Sequence, residues 1–272
     1  VEAWRFIDSG FADGFTNMAV DTALARCHDG RPVLRVYGWK PPAISLGHHQ
    51  RLNDLDLEKC GRDNLDVVFR PTGGRAVLHA DEVTYAVILG PGSRLYDPCI
   101  LPLYERISAG LTAALRQLGV ALEFERNARA LPLREKSGLD RLCFASAIRY
   151  ELGHDGKKAI GSAQRRFGPV ALQHGSILLG DAHLQLVDYL SRREEGWQLQ
   201  ARRFMQEKTL CLNEIAPRPL EYSQVAAALR DGFATRWGIS FSDSALSREE
   251  EAEALRWRQI FRDQTAMDAQ HD

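Results

Sequence analysis

The chain has 272 residues, 44% hydrophobic and 26% charged, which suits one large domain or one domain with a small appendage. Its 35 Lys and Arg nearly offset 36 Asp and Glu, for a formal net charge of -1. That balance excludes a strongly basic nucleic-acid-binding body, and no apolar run approaches the roughly 20 residues that cross a bilayer.

In chain order, residues 4–8, 33–37 and 43–46 read as short strands bounded by glycine, proline or polar residues. Residues 17–28 permit a helix that Gly30 stops, and 52–62 a short one. Residues 67–70 form a strand, Pro71-Thr-Gly-Gly a turn, and 83–89 a strongly apolar strand. Ile100, Leu103, Tyr104, Ile107, Leu111, Ala114, Leu115 and Leu118 recur at three and four, an amphipathic helix that Gly119 ends. A strand over 120–124 follows, then a polar loop over 126–140.

Residues 143–152 and 158–165 read as a hairpin turning at His154-Asp-Gly, and 169–179 as another strand. Beyond residue 180 helices dominate: 182–190, then 222–237, where Val225, Leu229, Phe233 and Trp237 repeat every four. Ser247-Arg-Glu-Glu opens a charged helix through a capping box, its apolar face holding Ala254, Trp257 and Phe261. The expected architecture is α+β: a central mixed or antiparallel sheet flanked by helices over 1–210, a helical C-terminal extension over 211–264, and a frayed tail over 265–272.

Four clusters could carry chemistry. Arg70-Pro-Thr-Gly-Gly-Arg-Ala-Val-Leu-His79 combines glycines that let the backbone approach a ligand with Arg70, Arg75 and His79, which could meet a phosphate, carboxylate or carbonyl. Its glycine spacing is that of neither a phosphate-binding P-loop nor a dinucleotide fingerprint. In Gly156-Lys-Lys-Ala-Ile-Gly-Ser-Ala-Gln-Arg-Arg, regular alternation sets Lys158, Ile160 and Ser162 on one strand face. Lys158 reads either as a surface lysine or as a partly desolvated one. Leu142-Cys-Phe-Ala-Ser-Ala places Cys143 where a hairpin brings it towards that strand, either as core filling or as a thiol activated by nearby cations. Gln173-His-Gly-Ser-Ile-Leu-Leu puts His174 before an apolar strand.

The other cysteines, Cys27, Cys60, Cys99 and Cys211, read as core, with Cys99 at a helix start. No CxxC pair occurs and His48-His49 lack carboxylate or cysteine company, so no metal site is expected. Wide cysteine spacing and the lack of a signal-peptide pattern at the first residues point to free thiols in a reducing cytoplasm.

In this order the four clusters resemble the biotin/lipoate A/B protein ligase family, over roughly residues 1–240. The segment from Arg70 to His79 looks like the family's Arg-x-x-Gly-Gly-x-x-x-x-His acyl-site loop, and Gly156–Arg165 like its lysine strand, with Lys158 in the lysine position. Cys143-Phe-Ala-Ser-Ala-Ile-Arg-Tyr-Glu before that strand looks like the LipM-type octanoyltransferase branch, in which the cysteine carries the acyl group.

The resemblance implies a ligase-like catalytic fold. It implies Cys143 and Lys158 as catalytic residues and an acyl pocket at Arg70, Gly73, Gly74, Arg75, His79, Gly161, Ser162 and His174. Arg149, Arg165 and Arg166 are candidates for docking acidic carriers. The implied donor is octanoyl acyl carrier protein, and the implied acceptor a lipoyl domain such as glycine-cleavage H protein. Neither cofactor nor metal is expected, and neither nucleic acid nor membrane is an expected partner. An ATP- and Mg2+-dependent lipoate–protein ligase and an amidotransferase between lipoyl domains are the alternatives.

Overall fold

The fold is described from a computed structural model over residues 1–126, 150–191 and 196–270. Two apolar segments, β2 (Val33–Trp39) and β6 (Glu82–Leu89), are buried along their whole length and pair antiparallel in the middle of a large sheet. β-Branched and aromatic residues buried on both faces suit a strand covered on both sides. Outside β2 lies β1 (Glu2–Ala12), paired in parallel. Outside β6 lie, in turn, β10 (Val170–Leu178), β9 (Lys157–Phe167), β8 (Tyr150–His154) and β7 (Glu123–Arg126), all antiparallel.

The hairpin between β8 and β9 turns at Asp155 and Gly156, both at positive φ, as a tight two-residue turn requires. A second sheet has β3 (Ala43–Leu46) between β4 (Asp66–Phe69), parallel to it, and β5 (Val77–His79), antiparallel.

One face of the large sheet is covered by α3 (Ile100–Gln117) and α6 (Tyr222–Trp237), whose Leu103, Ile107, Leu111, Val225, Leu229 and Phe233 pack with Leu34, Val36 and Val87. The other face is covered by α1 (Gly14–Arg26), whose Met18, Ala19, Ala23 and Leu24 share a core with Val33, Ile88 and Leu172. Asp13 caps α1 by accepting the Thr16 N–H at 2.8 Å, which starts the helix three residues before the apolar pattern becomes evident. Ala43 and Val68 belong to the same core, so the small sheet stands on this side as well. Its far face packs on a 3-10 segment, Ala182–Tyr189, and on α4 (Trp197–Lys208).

The structure supplies elements the sequence reading lacks: β5, α4, the short α5 (Leu212–Ile215) and β11 (Ile239–Asp243). β11 lies inside the stretch expected to be helical, yet it joins the large sheet in parallel beside β1. The last helix, α7 (Arg248–Gln270), runs through residues expected to be a frayed tail. It lies along α1 and is tied down by two charges: Arg5 meets both oxygens of Glu250 at 2.5 and 2.8 Å, and Arg258 meets Asp13 at 2.9 Å. No helix among the described residues is long and apolar enough to cross a membrane.

Candidate functional site

The polar and glycine-rich cluster is the connection from β4 to β5. Arg70 turns its guanidinium back on that loop. Nε donates to the Gly73 carbonyl at 3.1 Å, Nη2 to the Arg75 carbonyl at 2.6 Å, and Nη1 to the Ser45 carbonyl and hydroxyl at 2.9 and 3.1 Å. These bonds make Arg70 a buried brace that shapes the loop. Gly74 sits at φ +102°, and a Cβ there would lie 2.6 Å from Arg70 Nη2, so the bracing requires glycine. At Gly73 a Cβ would meet nothing within 4 Å, because that position faces open space.

That space is a cleft of about 510 Å3, its open mouth included, between the small sheet and the large one. Arg70, Gly73, Gly74, His79, Gly161, Ser162 and His174 line it, so seven of the eight expected acyl-pocket residues converge. Arg75 is the exception: it is not part of the wall, and its carbonyl serves the Arg70 brace. Met18, Tyr37, Trp39, Thr84 and Ser176 complete much of the wall.

Two histidines flank the cleft, and each is bonded at both ring nitrogens. His174 on β10 has Nδ1 2.8 Å from Asp21 Oδ2 and Nε2 2.7 Å from the Thr72 hydroxyl. Asp21 also receives Arg35 Nη1 at 2.6 Å and the Tyr37 hydroxyl at 2.7 Å. Burial alone would raise the Asp21 pKa, but Arg35, His174 and Tyr37 outweigh it and hold the carboxyl below its ordinary value. A carboxylate only accepts, so the network assigns the His174 proton to Nδ1 and leaves Nε2 to accept from Thr72.

His79 is held likewise, with Nδ1 2.9 Å from Glu82 Oε1 and Nε2 2.7 Å from the Ser45 hydroxyl. Trp39 stacks on its ring at 4.0 Å, with 12° between the planes. Tied at each ring nitrogen to a different element or loop, both imidazoles hold the walls together. Asp21 and Glu82 are absent from the sequence reading. Their signal is a carboxylate set among apolar residues, Asp21 within Met18–Leu24 and Glu82 just before the apolar strand.

Lys158 is 4% exposed and lies three residues before Gly161 on β9, outside the cleft wall. Its carbonyl accepts the Leu210 N–H at 2.9 Å, and it forms a parallel bridge with Thr209. Cys143 and Arg149 lie outside the described residues. Arg165 and Arg166 are half-buried. Arg165 donates to the Pro71 carbonyl at 2.6 Å, and Arg166 to the Asp97 carbonyl at 2.5 Å while standing over Tyr96.

Among the described cysteines, burial pushes the Cys60 thiol up to about 11 and the Cys211 thiol up to about 12, which disfavours a reactive thiolate at either. Cys27 is raised as well, by burial and then by Glu249. His48 and His49 are exposed on the turn after β3, and among the described residues no group of His, Cys, Asp or Glu is placed to hold a metal ion.

Residues 13–234 match the family profile of the lipoyl protein ligase A/B catalytic domain. An octanoyltransferase LipM from Symbiobacterium thermophilum is 38% identical over 259 residues, covering 92% of each chain. One from Bacillus subtilis is 36% identical over 259 residues, covering 92% of this chain and 91% of the relative. Among solved structures, a lipoate-protein ligase A bound with ATP superimposes with a TM-score of 0.73 at 19% identity over 94% of both chains. The bipartite lipoate protein ligase of Thermoplasma acidophilum does so at 0.76 and 19%, over 95% of this chain and 93% of that one. At that identity the two ligases are alike in fold.

Proposed function

The chain belongs to the lipoyl protein ligase A/B catalytic-domain family and is an acyltransferase, and from that premise we propose that it moves an octanoyl group from acyl carrier protein to a lysine of a lipoyl domain, such as that of glycine-cleavage H protein. The observation that carries this reading is the match, over nine-tenths of both chains, to relatives named octanoyltransferase. The glycine-walled cleft supports it, since an eight-carbon chain needs an enclosed slot. Each buried CH2 contributes about 0.8 kcal/mol, so slot depth can read chain length.

In this mechanism the Cys143 sulfur attacks the thioester carbonyl. The new C–S bond forms as the bond to the carrier's pantetheine sulfur breaks, and that thiol leaves with a proton. The acceptor lysine amine then attacks the acyl-enzyme. A C–N amide bond forms, the Cys143 C–S bond breaks, and the amine proton returns to the thiol. Two steps replace one difficult transfer. Because a thioester is already activated, the transfer runs without ATP.

Lys158 is the group assigned to the proton transfers, a role suited to a lysine withdrawn from water. Gly73, Gly74, Gly161 and Ser162 wall the acyl chain, with His79 and His174 holding the walls in place. Arg149, Arg165 and Arg166 dock the acidic carrier domains, the last two while braced on the Pro71 and Asp97 carbonyls. Such a reaction, with free thiols, fits the cytoplasm.

Intact mass after incubation with octanoyl acyl carrier protein, without ATP, tests the reading. A covalent acyl-enzyme adds one octanoyl group, about 126 Da. The adduct should vanish in Cys143→Ala and discharge onto a lipoyl domain. No adduct, with transfer only when free acid, ATP and Mg2+ are supplied, would overturn the transferase and make the protein a ligase.

A further inference from the structure

Four polar side chains on one side of the cleft wall have their protons turned away from it. Ser45, His79, Thr84 and Ser176 all line it, and Trp39 stacks on His79. The Thr84 hydroxyl donates to Glu82 Oε1 at 2.5 Å, the Ser176 hydroxyl to the same oxygen at 3.0 Å, and His79 Nδ1 to it at 2.9 Å. Because Nδ1 carries the His79 proton, Nε2 accepts from the Ser45 hydroxyl at 2.7 Å. Trp39 Nε1 donates to Thr84 Oγ1 at 2.7 Å. One carboxylate oxygen thus gathers three protons and orients a fourth through the imidazole. Glu82 itself is 6% exposed and forms no part of the wall, and its Oε2 is buried without a partner among the described residues.

We propose that Glu82 is a specificity-determining positioning residue that makes this cleft select an unsubstituted acyl chain over a hydroxylated one. The proposal rests on reading the cleft as the acyl site. With their protons drawn to Glu82 or to His79, Ser45, Thr84 and Ser176 have none to offer a guest. A guest hydroxyl lying against them then meets lone pairs but no donor for its own oxygen, and a buried acceptor left unpaired weakens binding by about tenfold or more.

In Glu82→Leu no acceptor remains where three donors now meet. Hydroxyl protons are released, can turn into the cleft, and can pair with a hydroxyl on the chain. The selection therefore lies in a residue that never touches the substrate. The stacked Trp39 and the doubly bonded His79 keep the wall rigid enough to hold it.

Calorimetric binding of octanamide and of 3-, 5- and 8-hydroxyoctanamide tests this. These probes are neutral and cannot acylate a cysteine. The wild-type protein should prefer octanamide by about tenfold or more over each hydroxylated probe. Glu82→Leu should cut that preference at least fivefold for the probe whose hydroxyl lies nearest the cluster. If the Leu variant does not fold, Glu82→Asp draws the carboxylate back by one methylene and should move the preference the same way. An undiminished preference in a folded Glu82 variant overturns the proposal while leaving the acyl site standing. Failure of the wild-type protein to bind octanamide at all would instead overturn the acyl reading of the cleft, and this proposal with it.

Discussion

His174 donates from Nδ1 to Asp21 Oδ2 across 2.8 Å, joining a central strand to the helix beneath it with both side chains nearly shut from water. The opposite edge of the same ring holds the Thr72 hydroxyl at 2.7 Å, and Thr72 sits in the glycine loop that roofs the cleft. Helix α1, strand β10 and the loop are therefore one hydrogen-bonded line. Arg35 anchors its far end, reaching Asp21, the Asn17 side chain and the Ser9 hydroxyl at 2.6, 2.9 and 2.9 Å.

Cutting that line at the loop should cost stability without changing shape. Thr72→Val is nearly isosteric and leaves His174 Nε2 buried and unpaired, a loss of about 1–3 kcal/mol. Thr72→Ser keeps the hydroxyl and should recover most of it. Urea unfolding of the three proteins checks the pair, and equal midpoints for Val and Ser would show that the hydroxyl does not hold the loop. Faster amide exchange at His48, whose N–H bonds the Thr72 carbonyl at 3.0 Å, should accompany the Val change.

A second expectation concerns the floor of the cleft. A Cβ at Gly175 would stand 2.5 Å from the Gly161 carbonyl oxygen, 2.7 Å from Ser162 Oγ and 2.9 Å from Tyr85 Cε1. A carbonyl and a buried ring cannot swing aside, so β9 and β10 would have to part. Gly175→Ala should cost about 1–3 kcal/mol by overpacking and should also abolish octanamide binding. Retained binding in a fully stable variant would mean that the two strands tolerate a wider spacing there.

The C-terminal helix supplies a third. Arg5 and Glu250 are a bidentate pair with side chains 6% and 4% exposed. Replacing Glu250 by Ala strands a buried guanidinium, which costs about 3–5 kcal/mol, far more than the helix's surface pairs contribute. Thermal unfolding of Glu250→Ala, alone and with Arg5→Met, checks this. The double variant should recover part of the loss, since removing both charges leaves none uncompensated.

Which parts were legible in the sequence follows from how far each signal reaches. The strands over 33–39 and 82–89 announce themselves as apolar runs, and α3 and α6 by their period, because one local stripe decides each. β11 does not: Ile-Ser-Phe-Ser-Asp is short and mostly polar, and only the free edge of β1 makes it a strand. α4 carries three buried side chains, Trp197, Ala201 and Met205, among charged and polar neighbours, too sparse a stripe to stand out. In the cleft, glycines and histidines at motif spacing are visible along the chain. Asp21 and Glu82 act on residues up to 153 positions away, a pairing that only the fold creates.

Acid should unfold the protein in two stages. Burial lowers the pKa of His183, outweighing the Gly180 carbonyl and nearby acids, and burial lowers that of His28 as well. Both rings stay neutral in the fold while the unfolded chain takes up protons below about 6.5. Their contribution is complete above that pH and is lost as pH falls towards the depressed folded values. His48 shifts the same way, but it is exposed and adds little.

The carboxyls respond at lower pH. Burial would raise Asp21 and Glu250, but Arg35 and Arg5 respectively help to outweigh it and hold both low. Their contribution is present above about pH 4 and is lost as pH falls through the depressed values. Urea unfolding from pH 7.5 to 3 should therefore show a first decline beginning near 6.5 and a second below about 4. His183→Gln with His28→Gln should flatten only the first. The amide that replaces the His183 ring can still donate to Thr209, whose hydroxyl now lies 2.8 Å from His183 Nε2, so the flattening would reflect lost titration rather than a lost bond. An unchanged first decline in that double variant would assign the sensitivity to other groups.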